Sequence, residues 1–252
     1  MLWPAEAVWE GVSPLLPGFT VEILPQVDST NTELMRRARA GRSEPVLLVA
    51  EQQTAGRGRL GRGWRSGPGG SLTFSLGLSL APADWSGLSL AVGVSLAESL
   101  DPAVHLKWPN DVWLSDRKLA GILVETASFG GGEAPRYAVI GVGVNIAAPQ
   151  ATGLSTPPAW TGEILAGADA GQVLLRLIQP LVQSIKAFEA LGFAPFQARF
   201  DARDALRDRA VVLGDGTAGT AHGTTESGAL LVHTAAGMLT VTSSDVSVRP
   251  AA

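Results

Sequence analysis

Cysteine is absent from the 252 residues. That absence removes disulfide frameworks, thiolate zinc sites, iron–sulfur clusters and cysteine nucleophiles together. Histidine is scarce: His105, His222 and His233 are the only three, and their spacing fits no metal-ligand pattern. No run reaches the ~18 apolar residues needed to cross a bilayer. The opening MLWPAEAVWEG has no basic stretch leading into an apolar one, so no secretory signal is expected. A soluble, cytoplasmic protein with no membrane contact is the expectation. Lysine is rare too. Of nineteen Lys and Arg residues only Lys107, Lys118 and Lys186 are lysines. In so arginine-biased a chain, a lysine draws interest as a compact point charge rather than a planar fork. The formal net charge of −4 argues against a general nucleic-acid coat protein, though not against a local basic patch. What is present is 46% hydrophobic and 17% charged, enough to bury a core and to exclude disorder as the main state. The length fits one large domain, or a medium one with a small companion.

Residues 1–25 carry Trp3, Trp9, Phe19 and four prolines. They read as an irregular lead-in that packs on something else, too short for a helix-turn-helix domain. A helix is expected from Thr30, where Thr30-x-x-Glu33 forms a capping box. Leu34, Met35 and Ala38 give its apolar face, and Gly41 ends it. Residues 45–50 are a continuous apolar run of strand length, and 54–70 have loop composition. Leu72, Phe74, Leu76, Leu78 and Leu80 alternate at period two, as a strand over 71–80 requires. Residues 88–100 read as a helix, and 104–108, 112–114, 119–125 and 137–146 as four more strands. Residues 173–191 read as a long helix kinked at Pro180, and 195–205 as a short one. From Arg209 onward, short strands broken by Asp215-Gly216, Ser227-Gly228 and Ala236-Gly237 suggest a small antiparallel barrel. The expected domains are 1–206 and 207–252.

Two stretches carry chemistry. Gly56-Arg57-Gly58-Arg59-Leu60-Gly61-Arg62-Gly63-Trp64-Arg65 holds four arginines in ten residues. Its glycines allow close backbone approach to a ligand, and its arginines offer forks of donors for carboxylate or phosphate. It reads as an anion site, a solvated basic loop or an RNA-binding Arg-Gly tract. Its place between two strands, rather than in a tail, favours a folded anion site. The second stretch, Lys107-Trp108-Pro109-Asn110-Asp111, sets a cation, a ring and a carboxylate within five residues. Lys118 follows on the far strand, and strand pairing could bring both ammonium groups to one side. A turn with a surface salt bridge is the plainer reading of that spacing. GVGVN at 141–145 superficially resembles a dinucleotide fingerprint, but the third glycine position is Ile146 and no helix follows. No P-loop occurs, and the lack of G-x-S-x-G argues against a nucleophile-elbow hydrolase.

DSTN at 28–31, GRGRLGRGW at 56–64, KWPND at 107–111, KLAGILVE at 118–125 and GVGVN at 141–145 occur in this order. Together they resemble the biotin–protein ligases, or biotin–[acetyl-CoA-carboxylase] ligases, from about residue 25 through the C-terminal strands. The resemblance implies an α/β (α+β) fold: a mixed sheet with helices on one face, then a small SH3-like barrel. It is to the short form, without the DNA-binding repressor domain that bifunctional members carry. The implied activity is ATP-dependent: biotin and MgATP give biotinyl-5′-adenylate and pyrophosphate, and biotin then passes to one lysine of a biotin carboxyl carrier protein. Mg²⁺ is implied through the ATP phosphates, with no metal site of the protein's own, and no DNA partner. Homodimerisation through sheet edges occurs in the family.

By motif position, the resemblance gives Ser29, Thr30 and Gln53 the ureido ring of biotin, with Gly56 beside them and the backbone of Gly121 and Leu123 near the ring system. It gives Arg57 and Arg59 the phosphate and the ordering of the loop, and Lys118 the biotin carboxylate and α-phosphate. Trp64 packs near the adenine, whose edge Asn145 reads, and Arg62, Lys107 and Asn110 support the nucleotide. Asp111 is implied in catalysis, either orienting the incoming lysine or assisting Mg²⁺. A loop over 56–68 that is mobile without ligand and closes with it would keep water from the labile anhydride. Lipoate–protein ligases share the fold and the adenylation chemistry but carry R-R-x-S-G-G-G where this sequence has GRGRLGRGW. An RNA-binding module is the rival of another class; the acidic balance and single tyrosine speak against it.

Overall fold

The computed structural model describes residues 3–128, 135–148, 157–242 and 248–250. Along the chain run α1 (Ala5–Val12), β1 (Thr20–Val27), α2 (Thr30–Arg39), β2 (Val46–Gln53), β3 (Ser71–Leu80), α3 (Leu88–Leu100), β4 (Val104–Lys107), β5 (Asp111–Leu114), β6 (Arg117–Ala127) and β7 (Arg136–Asn145). They are followed by α4 (Ala170–Leu191), α5 (Ala194–Asp201), β8 (Ala210–Leu213), β9 (Ala218–Thr224), β10 (Leu230–Thr234), β11 (Gly237–Val241) and β12 (Val248–Pro250). The first seven strands form a mixed sheet in the order β1-β2-β3-β7-β6-β5-β4. Only β1 and β2 run parallel. The other five strands form an antiparallel sheet in the order β11-β10-β9-β8-β12, the small SH3-like unit expected at this end.

Alternation along the strands sorts side chains to two faces. Leu47, Val49, Leu72, Phe74, Leu76, Ile140 and Val142 join α1, α3, α4 and α5 in the main core. Val46, Leu48, Tyr137 and Val139 point the other way, where Leu34, Met35 and Ala38 of α2 cover them. The expectation of helices on one face is therefore corrected: four lie on one side and α2 alone lies on the other. The reason is that β2 and β7 are apolar on both faces over part of their length, and a strand of that kind needs cover twice. Helix α2 is ten residues long and covers only that part. The rest of its face of the sheet stays open.

Two further expectations are corrected. The lead-in is not irregular: α1 spans Ala5–Val12 and β1 starts at Thr20. Pro4, Pro14 and Pro17 flank α1 while Pro25 lies within β1, and Val8 and Val12, one helical turn apart, are buried. The cap of α2 is Ser29, whose hydroxyl accepts from the Thr32 N–H at 3.4 Å, so Thr30 is released for other bonds. Helix α4 runs unbroken through Pro180. Buried Leu177, Ile178, Leu181 and Val182 on either side hold the turn that the missing N–H would loosen.

The two sheets are clamped together. Trp108, only 1% exposed, donates its indole N–H to the Gly228 carbonyl at 3.1 Å. Gly228 has φ +82, a conformation glycine adopts freely. Arg209 bonds Asp116 of the β5–β6 turn at 2.6 Å. Residues 203–205 run beside β4, with Leu106 N–H on the Arg203 carbonyl and Ala205 N–H on the Leu106 carbonyl, both at 2.8 Å.

Candidate active site

The open part of the α2 face is floored by glycine. Gly121 pairs with Gly143 across β6 and β7, and Leu123 with Gly141. A β-carbon on Gly141 would stand 2.1 Å from Asn31 Oδ1, and one on Gly143 2.4 Å from the Trp64 indole. One on Gly121 would meet the Lys118 ammonium at 3.1 Å. These three positions are thus bare because Asn31, Trp64 and Lys118 lie flat on them.

The Arg-Gly loop folds as a small hairpin above this floor. Trp64 N–H donates to the Gly56 carbonyl at 2.8 Å, and Gly58 N–H to the Arg62 carbonyl at 2.7 Å. Gly56 has no room for a side chain, since its β-carbon would sit 2.4 Å from the Trp64 carbonyl oxygen. The hairpin is anchored at three places. Arg57 Nη2 bonds Glu125 Oε1 at 2.6 Å and its Nη1 bonds the Thr32 hydroxyl at 3.1 Å. Arg59 Nη1 reaches Asn110 Oδ1 at 3.4 Å. The Trp64 ring lies 5.9 Å from the Lys118 ammonium, and its own Nε1 is buried with no hydrogen-bond partner among the described residues. A buried donor left unmade costs about 1–3 kcal/mol. That atom is therefore a place where a ligand acceptor would be rewarded.

The second stretch forms the far wall. Lys107 and Asp111 are paired across β4 and β5, and Asp111 is paired with Gly121 of β6. Asp111 Oδ1 accepts from the Lys118 ammonium at 2.6 Å. The Lys107 ammonium stands 5.0 Å over the Trp113 ring. Asn110 is clipped to β6: its Nδ2 donates to the Ile122 carbonyl at 2.8 Å, and the Ile122 N–H donates back to its carbonyl at 3.0 Å.

At the start of α2, Gln53 Oε1 accepts from the Thr30 N–H at 2.8 Å and from the Thr30 hydroxyl at 3.1 Å. Ser29 and Thr30 are each 3% exposed. One cleft is lined by Ser29, Thr30, Gln53, Arg57, Arg59, Arg62, Trp64, Lys107, Asn110, Asp111, Lys118, Gly121 and Leu123. Val248 of the small sheet lines it as well. Two residues singled out in the sequence stand apart. Gly56 sits at the hairpin's base. Asn145 turns its Nδ2 onto the carbonyls of Lys118, at 3.2 Å, and Ala159, at 2.9 Å. Sequence reasoning missed Asn31, Thr32, Ser75 and Glu125, which tie the parts together. Asn31 and Glu125 lie inside the quoted motifs DSTN and KLAGILVE, so that signal was within reach. Ser75 is one of several small polar residues that alternate with the leucines of β3, and it carried little signal.

The cleft sets cations of the hairpin and of β4–β6 around a glycine floor, beside a neutral cradle of hydroxyl and amide groups. That combination suits a ligand with a polar uncharged ring and an anionic reacting centre. The comparisons with known proteins agree. Residues 23–145 match the Biotin/lipoate A/B protein ligase family, and residues 210–249 match the Biotin protein ligase C terminal domain. The chain is 38% identical over 228 residues to the bifunctional ligase/repressor BirA of Escherichia coli K12, covering 86% of this chain and 70% of that one. It is 35% identical over 240 residues to the biotin–[acetyl-CoA-carboxylase] ligase of Paracoccus denitrificans, covering 89% of this chain and 98% of that one. A solved structure of the biotin protein ligase from Aquifex aeolicus, in complex with biotin and ATP, aligns with a TM-score of 0.77 at 30% identity, over 92% of this chain and 99% of that one. With both sheets matched and two of these relatives spanned almost whole, the chain belongs to the biotin protein ligase family.

Proposed function

We infer that this protein is a biotin–protein ligase, activating biotin with MgATP and passing it to a lysine of a biotin carboxyl carrier protein. The observation that carries the reading is the single cleft in which the Ser29, Thr30 and Gln53 cradle meets Arg57, Arg59, Lys107 and Lys118. In the first step a biotin carboxylate oxygen bonds to the α-phosphorus of ATP, and the bond to the β-phosphate oxygen breaks. Pyrophosphate leaves with that electron pair. In the second step the carrier lysine's amine attacks the acyl carbon of biotinyl-5′-adenylate, AMP leaves, and the amine loses a proton. Negative charge builds at phosphorus and then at the acyl oxygen. Fixed cations aimed at that charge are the device that lowers such barriers.

Within this reading Lys118 meets the carboxylate and the α-phosphate, and Arg57 and Arg59 hold the phosphate. Asp111 positions Lys118 through its 2.6 Å bond. Arg62, Lys107 and Asn110 serve the nucleotide, whose Mg²⁺ arrives on its phosphates. Trp64 is assigned the adenine side of the cleft. Asn145 supports that side through the backbone it holds. We assign biotin and ATP binding to residues 1–206, with 207–252 closing one end of the cleft through Val248. Homodimerisation is assigned to the β1 edge, because residues 203–205 already run along β4. Residues 3–19 hold one short helix whose buried face is occupied, and no DNA contact is assigned to them. Among the described residues no helix is long and apolar enough to cross a membrane, and the reading places the enzyme in the cytoplasm with its carrier.

The test is biotin-dependent ATP–pyrophosphate exchange, with lipoate and octanoate in parallel. Exchange is expected with biotin alone, falling by about two orders of magnitude or more in Lys118→Ala and Arg57→Ala, the scale of losing a preorganised charge at the reacting centre. Exchange with lipoate instead would move the protein to the lipoate–protein ligases, and no exchange with any acid would sink the reading. Transfer is then read as biotin on an added carrier domain.

A further inference from the structure

Arg57 does not hold itself in place. Its Nη2 bonds one oxygen of Glu125, and the other oxygen of that carboxylate accepts from Asn31 Nδ2 at 2.9 Å. Asn31 Nδ2 also reaches the Leu123 carbonyl at 3.1 Å. Asn31 is 3% exposed, and it lies where it does because Gly141 has no side chain. Its Oδ1 is 2.6 Å from the Ser75 hydroxyl, which is 2.7 Å from the Thr30 hydroxyl, which is 3.1 Å from Gln53 Oε1. An unbroken polar chain therefore runs from Gln53, through the buried side of α2, to the loop guanidinium.

The proton count in that chain is short by one. Three oxygen–oxygen contacts, Gln53–Thr30, Thr30–Ser75 and Ser75–Asn31, share two hydroxyl protons. Two arrangements keep a proton between the two hydroxyl oxygens, which stand 2.7 Å apart and would repel without one. In the first, Thr30 donates to Gln53 and Ser75 donates to Thr30, leaving Asn31 Oδ1 without its Ser75 donor. In the other, Thr30 donates to Ser75 and Ser75 to Asn31, and Gln53 Oε1 is kept satisfied by the Thr30 N–H alone. A buried amide oxygen with and without a donor differs by an appreciable fraction of a hydrogen bond. A group that binds the Thr30 hydroxyl selects between the two arrangements.

We propose that Glu125 and Asn31 are positioning residues for Arg57, and that the Thr30–Ser75 hydroxyl pair makes their hold on it answer to a ligand bound at Thr30 and Gln53. This deepens the ligase reading and rests on it: the ring end of biotin sets the guanidinium that its carboxyl end then uses. A carboxylate suits position 125 because it accepts on both oxygens. Glutamine there offers one acceptor and turns a donor toward a donor.

The experiment is pyrophosphate exchange by Glu125→Gln, Glu125→Asp and Ser75→Ala, with tryptic cleavage at the loop arginines followed with and without biotin. Glu125→Gln is expected to lower kcat by about tenfold to a hundredfold, the scale of one charge-assisted hydrogen bond. The KM for biotin should stay within threefold, because the cradle is intact. Glu125→Asp should restore part of kcat. Ser75→Ala nearly keeps the buried volume and should fold; biotin alone is expected to slow loop cleavage in the wild type and to leave it unchanged in Ser75→Ala, and no biotin effect in an active wild type would overturn the coupling. Glu125→Gln within twofold of wild type in kcat would overturn the positioning role. Full biotin protection in Ser75→Ala would overturn the coupling. Both results require an active wild type; a wild type without exchange overturns the ligase reading instead, so the failures are distinguishable.

Discussion

A β-carbon on Gly141 would press on Asn31 Oδ1 at 2.1 Å, and Asn31 cannot step aside cheaply, because Ser75, Leu123 and Glu125 all hold it. Gly141→Ala is expected to cost about 1–3 kcal/mol, the range for overpacking a tight interior. Thermal unfolding would read that as a fall of about 2–4 °C for each kcal/mol, and an unchanged midpoint would mean that Asn31 is not fixed. At this scale the sequence was legible where chemistry is written in residue type. Arg57, Arg59, Lys107, Lys118 and Asp111 are charged groups on glycine-rich or turn segments, and the structure brings them to one cleft. Asn31 and Ser75 were not singled out. One reads as an ordinary helix position and the other as an ordinary polar position of an alternating strand, and their meaning comes only from Gly141 lying across from them. Thr30 shows the opposite case. Its capping pattern was real in form, but Ser29 one residue earlier took the work, and the hydroxyl of Thr30 faces Gln53 and Ser75 instead.

Among the elements, the Arg-Gly hairpin is the one whose place depends least on burial. Its hold on the rest is Trp64 on the glycine floor, Arg57 on Glu125 and Thr32, and Arg59 on Asn110. Few buried apolar contacts and several exposed polar ones mark the low-stability end of a structure. Limited proteolysis should cut first within 56–68, and biotin with ATP should slow that cut by about tenfold or more, as expected for a segment ordered by ligand. Equal cleavage with and without the two ligands would count against closure. The regular elements were readable to within a few residues where period and turn signals agreed, as in β3 and α3. Helix α1 was not, because four prolines in the lead-in outweighed the Val8 and Val12 pair. Nor was the side of the sheet that α2 takes. Period tells which face of a helix is buried, but not which face of a sheet it is buried against.

At the scale of the whole molecule, the junction of the two sheets holds a carboxylate under stress. Asp204 pairs alongside Leu106, and its Oδ2 is buried without a hydrogen-bond partner among the described residues. Burial pushes its carboxyl up to about 6 against the lowering pull of the Leu206 N–H, and neighbouring Asp201 adds to the rise. The folded chain thus keeps a proton that the unfolded chain loses near 3.8. Stability from this group is full at the acid end, falls as pH rises through that window, and stays reduced above about 6. Asp204→Asn should raise the thermal midpoint at pH 7.5 by about 2–4 °C for each kcal/mol relieved, and by less at pH 4.5. Equal gains at both pH values would remove the charge as the cause.

The electrophile this cleft would make reacts with primary amines, and the chain around it offers hardly any. Its lysine side chains number three: Lys118 bound to Asp111, Lys107 lying over Trp113, and Lys186 bridged to Glu189. The rest of its positive charge sits on guanidinium groups, which stay protonated and are poor nucleophiles. Adenylate that drifts out of the cleft crosses a surface with almost nothing to acylate. By composition the molecule offers its own product few amines, and most of the escaping acyl groups are left for an acceptor on another chain or for water.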